Sequence, residues 1–380
     1  MSEPLEADVA IIGGGIQGTS AALHLAQWGR SVVLLERGFV GAQASGVNFG
    51  NVRQQGRALA ELPLARRSAE IWGRLEELVG DACEFVASGN LYCAYEEADA
   101  AGLEAFARDA ADYGLEVQLF GANQLRERWP WFGEDVTLGS FTAADGHANP
   151  RLVAPAFARA AHAAGVEVLE HTEASDVAQV GQQFEIETAT GGRIRAAQLL
   201  NTAGAWGHQI AERFGEPVPL EAYSPQLAVT EPAPAFIEPT VAAVGDVYLR
   251  QVAGGGIVFG GGPRGPALRD EGRAYVLPEH TIAQVSGVRR LVPALAELAI
   301  LRVWGGIEGL LPDEIPVIGP SRTTTGLYHA FGFSGHGFQL GPAVGAVLAE
   351  LIVDGRTETP IEAFDIARFQ KRQNSPTPGS

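Results

Sequence analysis

Long apolar runs, positive charge and cysteine are scarce in this sequence, and each scarcity closes off a class of function. No stretch of about 18 uninterrupted apolar residues is present, as a membrane-crossing helix would need. The opening MSEPLEADVAIIGGG has neither the basic flank nor the cleavage site of a secretion signal. A soluble, cytoplasmic protein is expected. The formal charge of -18 argues against nonspecific nucleic-acid binding and against an anionic membrane surface, because both reward basic patches. The two cysteines, Cys83 and Cys93, lack metal-ligand spacing and have no second pair beside them, so neither a disulfide framework nor a metal site is expected.

Glycine, by contrast, is abundant. It accounts for 48 of 380 residues, against a usual ~7%, with no collagen-like or repeat period. Many tight turns and close backbone approaches to a ligand are therefore expected. The length suits two domains with a sizeable core.

The segment ADVAIIGGGIQGTSAALHLAQWGRSVVLLER reads as a β-α-β unit. Val9 to Ile12 form an apolar run fit for a buried parallel strand, Ala22, Leu25 and Ala26 follow at helical spacing, and SVVLLE is a second strand ending on an acid. Between strand and helix, Gly13, Gly15 and Gly18 make a G-x-G-x-x-G turn around Ile16 and Gln17, which permits backbone approach to a pyrophosphate at a helix N-terminus. Glu36, 23 residues after Gly13, can accept hydrogen bonds from a ribose 2'-hydroxyl and would repel a 2'-phosphate. The unit serves FAD or NAD. After Glu36 no β-α series continues; RGFVGAQASGVNFGNVRQQGR reads as a long ordered loop whose Ser45 and backbone amides line an extended path.

This fingerprint, GAQASG, LLNTAGAWGHQIA from Leu199, WGGIEGLLPDEIPVIGP and GLYHAFGFSGHGFQLGPAVG together resemble the D-amino-acid oxidase and sarcosine oxidase superfamily of FAD enzymes, in order and over nearly the whole chain. The pattern is that of the branch holding glycine oxidase, sarcosine oxidase β-subunit, opine oxidase and hydrogen cyanide synthase. The resemblance implies a glutathione-reductase-type FAD fold: an α/β Rossmann-like domain built from residues 1–80, 147–216 and 300–370, and an α+β substrate domain with a mainly antiparallel sheet from 81–146 and 217–299. Residues 371–380 read as a flexible tail. It implies FAD contacts at Arg37 beside Glu36, at Ala44, Ser45 and Gly46, at Val177 near the adenine, at Gly204 and Trp206 in AGAW, and at Gly335, His336, Gly337, Phe338 and Gln339.

In such enzymes the flavin takes a hydride from the carbon bearing an uncharged amine, and the imine formed is hydrolysed. The protein orients the substrate and stabilises negative charge on the reduced ring. A helix N-terminus suits that last task. GHGFQLGPAVGAVLAELIVDG supplies one, with Val344, Val347, Leu348, Leu351 and Ile352 on a buried face. His336 is expected as a cofactor contact rather than a general base.

Relatives usually clamp the substrate carboxylate with a cation, commonly a forked arginine. Here the glycine oxidase arginine is replaced by Glu308, and the lysine that follows GHGF in monomeric sarcosine oxidase is replaced by Gln339. Arg53, Arg57 and Arg250, with Tyr248 as a hydroxyl donor, are the remaining candidates; Glu308 binds a substrate ammonium, a distal cation or a nearby arginine. Val258 aligns with the lysine that promotes oxygen use in monomeric sarcosine oxidase, and Gly306 falls near the covalent-flavin cysteine, so noncovalent FAD is expected. The electron acceptor stays open between oxygen, another acceptor and a partner subunit of a hetero-oligomer. The expected activity is oxidation of the C–N bond of a secondary or N-substituted amino acid, opine-like or sarcosine-like. The alternatives are a glycine or D-amino-acid oxidising enzyme, including the cyanide-forming kind, and a flavoprotein subunit inactive without its partner.

Overall fold

A computed structural model describes residues 3–373. Two large sheets organise the chain. In the first, Leu5–Ile12 lies between Arg193–Asn201 and Val32–Leu35, both parallel to it, and Glu167–Leu169 and Leu327–Phe331 extend the parallel array on either side. Both faces of such a sheet are covered, which is why Val9–Ile12 and Val32–Leu35 are uninterrupted apolar runs. The helices Ile16–Gln27, Pro150–Ala163 and Gly337–Asp354 contribute most of the core on one face. Gly337–Asp354 is long and apolar enough to cross a membrane by composition, yet most of it is buried in this core.

That helix packs tightly on Ile16–Gln27 through small residues four apart. A Cβ on Gly341 would come within 2.6 Å of Ile16 Cγ2, and one on Gly345 would collide with Ser20 Oγ. Ser20 Oγ donates to the Pro342 carbonyl at 3.1 Å, and Gln17 Nε2 donates to the Gly337 carbonyl at 3.0 Å. The helices that follow the two glycine clusters are thus locked together at their N-terminal ends.

The second sheet runs Ile300–Gly305, Gln226–Pro232, Gly256–Gly261, Val247–Gln251, Thr240–Ala243, Asn90–Ala94, Leu138–Thr142 and Gln118–Gly121. All its pairs are antiparallel except Thr240–Ala243 with Asn90–Ala94. Ile300–Gly305 was expected with the dinucleotide-binding segments; it pairs instead with Gln226–Pro232, so the chain leaves this sheet after residue 305.

Three other expectations change in detail. The loop after Glu36 contains a helical turn, Ala44–Val47, and a short strand, Asn51–Val52. VEVLEHTEASDV is two strands, Glu167–Leu169 and Ala174–Val180, broken where His171 takes φ +53°. Residues 371–373 finish the helix Ala367–Gln373, and 374–380, the rest of the segment read as a tail, lie outside the described residues.

Candidate active site

A cavity of about 550 Å³ runs between the two sheets. One end is walled by Glu36, Arg37, Trp206 and the stretch Thr172 to Ala174; its middle by Gly13, Gly15 and Ser45; its far end by Gly335 to Phe338. The two glycine clusters therefore flank one continuous space.

The turn at the first cluster has the shape its residues predict. Gly13 has φ +112°, and a side chain there would collide with the Thr202 carbonyl. Gly18 likewise has no room, a Cβ meeting the Gly13 carbonyl; it packs the helix and does not line the cavity. Gly15 at the start of the helix has no side chain to cap it and no acid stands in its first turn, so apart from the Ile16 amide its positive end is available to an anion. Ser45 Oγ accepts from Ile16 N at 2.9 Å. Glu36 accepts from Gly14 N and Gly38 N, both at 2.8 Å, which fixes its carboxylate beside the turn. Arg37 stacks over Trp206, 3.7 Å from the ring centroid. Val177 pairs with Ile186 inside an apolar cluster, and Thr172 to Ala174 take the cavity wall in its place. Gly46 faces the Gly41 carbonyl and is also off the cavity.

The far end is assembled by sheet register. Tyr92, Ala242 and Tyr248 are successive partners across three strands, and Gly260 and Leu227 continue the row. Directly paired residues share a face, so Tyr92, Ala242, Tyr248 and Leu227 all reach the cavity. Gly260 makes room for the phenol, since a Cβ there would stand 2.9 Å from Tyr248 Oη. Glu308 and Tyr223 are a second cross-strand pair, Tyr223 Oη donating to Glu308 Oε2 at 2.8 Å. Burial pushes the Glu308 carboxyl above the usual range, with the Tyr223 bond and Arg264 opposing. A side chain on Gly335 would approach that carboxylate to 3.8 Å, so Glu308 stands at the entry of the last helix.

Of the arginines, Arg53 lines the cavity, its Nη1 donating to the Gln55 and Gly56 carbonyls at 2.5 and 2.9 Å. Arg57 and Arg250 do not. Arg57 is buried, donating to the Arg53 carbonyl at 2.9 Å and the His336 carbonyl at 3.3 Å. Arg250 alternates onto the same face of its strand as Tyr248 but lies behind Phe49, donating to the Phe49 and Ala148 carbonyls at 2.9 and 3.5 Å. Gln339 also turns away: its Nε2 donates to the Ala65 carbonyl at 2.7 Å, because the third residue of its helix faces the helix Leu62–Trp72. Tyr92, Tyr223 and Arg264 are cavity residues that the sequence reading passed over. Alternation within a strand hinted at the tyrosines, but only register says which face is the ligand's.

The family profile for FAD-dependent oxidoreductases, known as DAO, matches residues 8–351. The chain belongs to that family. Its cofactor is FAD, and the cavity accommodates it: Gly15 and Gly335 line it without side chains, so that a Cβ at either would narrow the space, the turn at Gly13 admits only glycine, and Glu36 stands on the cavity wall. Among members, the chain is 28% identical to sarcosine oxidase subunit beta of Rhizobium meliloti, covering 96% of this chain and 88% of that protein. It is also 28% identical to the mitochondrial pyruvate dehydrogenase phosphatase regulatory subunit of Mus musculus, covering 98% of this chain but only 44% of the longer protein. Among solved structures, L-proline dehydrogenase from P. horikoshii superposes with a TM-score of 0.91 at 30% identity, covering 97% of this chain and 99% of that one.

At the positions where family oxidases differ, Gly306 is packed against Val47 with no room for a cysteine side chain, and Val258 lies in an apolar cluster with Phe49 and Leu227. The chain has a single lysine, Lys371.

Proposed function

We propose that this FAD enzyme oxidises the C–N bond of a secondary or N-substituted amino acid. The observation that carries the reading is that one cavity is lined by both a guanidinium, Arg53, and a carboxyl, Glu308, the latter beside Gly335 at the entry of the last helix. A guanidinium suits a carboxylate, and a carboxylate or its acid suits an amine. The tyrosines Tyr92, Tyr223 and Tyr248 line the same cavity, and their rings would limit water at the reacting carbon. The names of the relatives, a sarcosine oxidase subunit and an L-proline dehydrogenase, support a secondary amine.

When bound, FAD supplies a two-electron acceptor for the hydride lost from the substrate carbon. Glu308 and Tyr223 hold the amine so that its nitrogen sheds a proton as the C=N bond forms; water then adds to the imine and splits it into a carbonyl compound and an amine. The first helical turn at Gly337, uncapped by any side chain, offers positive charge that does not titrate. Val258, where an oxidase pattern carries lysine, favours an acceptor other than oxygen.

Anaerobic mixing of the holoprotein with L-proline, sarcosine and an N-(1-carboxyethyl) amino acid, against glycine and D-alanine, tests this. Bleaching of the visible flavin band by the first group is expected. Bleaching by glycine or D-alanine alone overturns the N-substituted reading, and no bleaching by any compound favours a subunit that acts only with a partner.

A further inference from the structure

We propose that Glu61 is a positioning residue of the site: it holds the His336 ring with Nδ1–H turned inward and so leaves Nε2 as the polar atom presented to the cavity. Glu61 ends the turn Leu59–Glu61 that leads into the helix Leu62–Trp72, whereas His336 immediately precedes the helix Gly337–Asp354 without capping it. The contact therefore ties together two elements some 275 residues apart in sequence. His336 Nδ1 lies 2.9 Å from Glu61 Oε2 and 3.2 Å from Oε1. Glu61 is fully buried, while the His336 side chain keeps 17% of its surface, on the cavity it lines.

A buried carboxylate is costly unless paired, and Arg57 is the other charged group within reach of Glu61. Arg57 nevertheless stands at 3.8 Å, with its own donors on the carbonyls of Arg53 and His336. The short contact goes to the imidazole. The charged groups facing His336 are Glu61, Arg57 and Arg53 from this segment, and Glu308 from the strand beside Gly335. Burial lowers the proton affinity of His336; Glu61 raises it; Arg53 and Arg57 lower it again, and the net shift is downward. Burial pushes Glu61 up, but its bond to His336 and the nearby cations outweigh that and hold it below the usual range. The ring is thus neutral at slightly alkaline pH beside an ionised carboxylate. A carboxylate only accepts, so the one ring hydrogen sits on Nδ1.

The inference rests on where His336 lies in the cofactor cavity and not on the substrate class, and its test needs no substrate. Nitrogen NMR of the holoprotein labelled with ¹⁵N-histidine, at pH 8, reads the tautomer directly; the His336 signals are those missing from H336Q. The expected result is a protonated Nδ1 and an unprotonated Nε2. In E61Q the midpoint of the His336 titration moves down by about one pH unit as the negative charge is lost, with FAD content retained. A wild-type ring protonated on Nε2, or a midpoint unmoved in a folded E61Q, overturns the proposal. Should E61Q not fold, the wild-type tautomer alone decides.

Discussion

Arg53 in NVRQQG and Arg250 in YLRQVAG look interchangeable as letters in a sequence, since each is an arginine followed by a glutamine and, within four residues, a glycine. Their surroundings separate them. Arg53 reaches the cavity and is expected to serve as a bidentate clamp, so R53K, which keeps charge but loses the planar fork, lowers kcat/KM for the best substrate by about 100-fold, roughly 2.7 kcal/mol. Steady-state kinetics with an artificial acceptor checks it; an unchanged kcat/KM removes Arg53 from the site. Arg250 spends its donors on the Phe49 and Ala148 carbonyls, and burial brings its pKa down to about 10. R250M strands two buried carbonyls, and a loss of about 2–3 kcal/mol of stability in urea melts is expected, with the KM of the folded fraction near wild type.

At the scale of elements, the contact between Ile16–Gln27 and Gly337–Asp354 sets the spacing of the two glycine clusters. G345V forces a branched side chain onto Ser20 Oγ and the backbone of Ala21. Over-packing of this kind costs about 1–3 kcal/mol, and because both cavity walls shift, FAD release should accompany the fall in melting temperature. Gly102 provides the control. It sits inside the helix Glu97–Ala111 with nothing near its missing Cβ, so G102A should stabilise by about 0.5–1 kcal/mol and leave FAD affinity unchanged. Thermal melts of the two variants, with released FAD followed by fluorescence, distinguish tight packing from a generic dislike of substitution.

The whole molecule carries buried titratable groups of opposing sign. Burial brings the pKa of His24 and His147 down to about 4. Against an unfolded value of about 6.5, the stability that each neutral ring secures is lost as pH falls from about 6.5 to 4. Burial pushes Asp145 up to about 6 despite the amides of Gln54 and Gln55 donating to it. Its destabilising cost is present above pH 6 and fades toward its unfolded value of about 3.9. Between pH 6 and 4 the two imidazoles outweigh the one carboxyl, so these three groups together contribute a loss of stability of about 1.4 kcal/mol for each unit that the pH drops. D145N removes the opposing titration and should steepen that fall toward twice the slope, as urea midpoints across the window would show.

How much of this was legible beforehand follows from the range of the forces involved. The β-α-β turn at Gly13, Gly15 and Gly18, the acid at Glu36 and the helix after Gly337 were read from the sequence alone, because turn geometry, helical period and a strand-ending acid are local. The order of motifs also pointed to the FAD-dependent oxidoreductase family. What only the tertiary structure decided was every relation between segments far apart in the chain. Register brought Tyr92 and Tyr248 to one face and paired Tyr223 with Glu308; packing put Arg57, Arg250 and Gln339 out of the cavity and set Glu61 against His336. Strand pairing and side-chain burial are settled by which surfaces exclude water together, and no single segment encodes that.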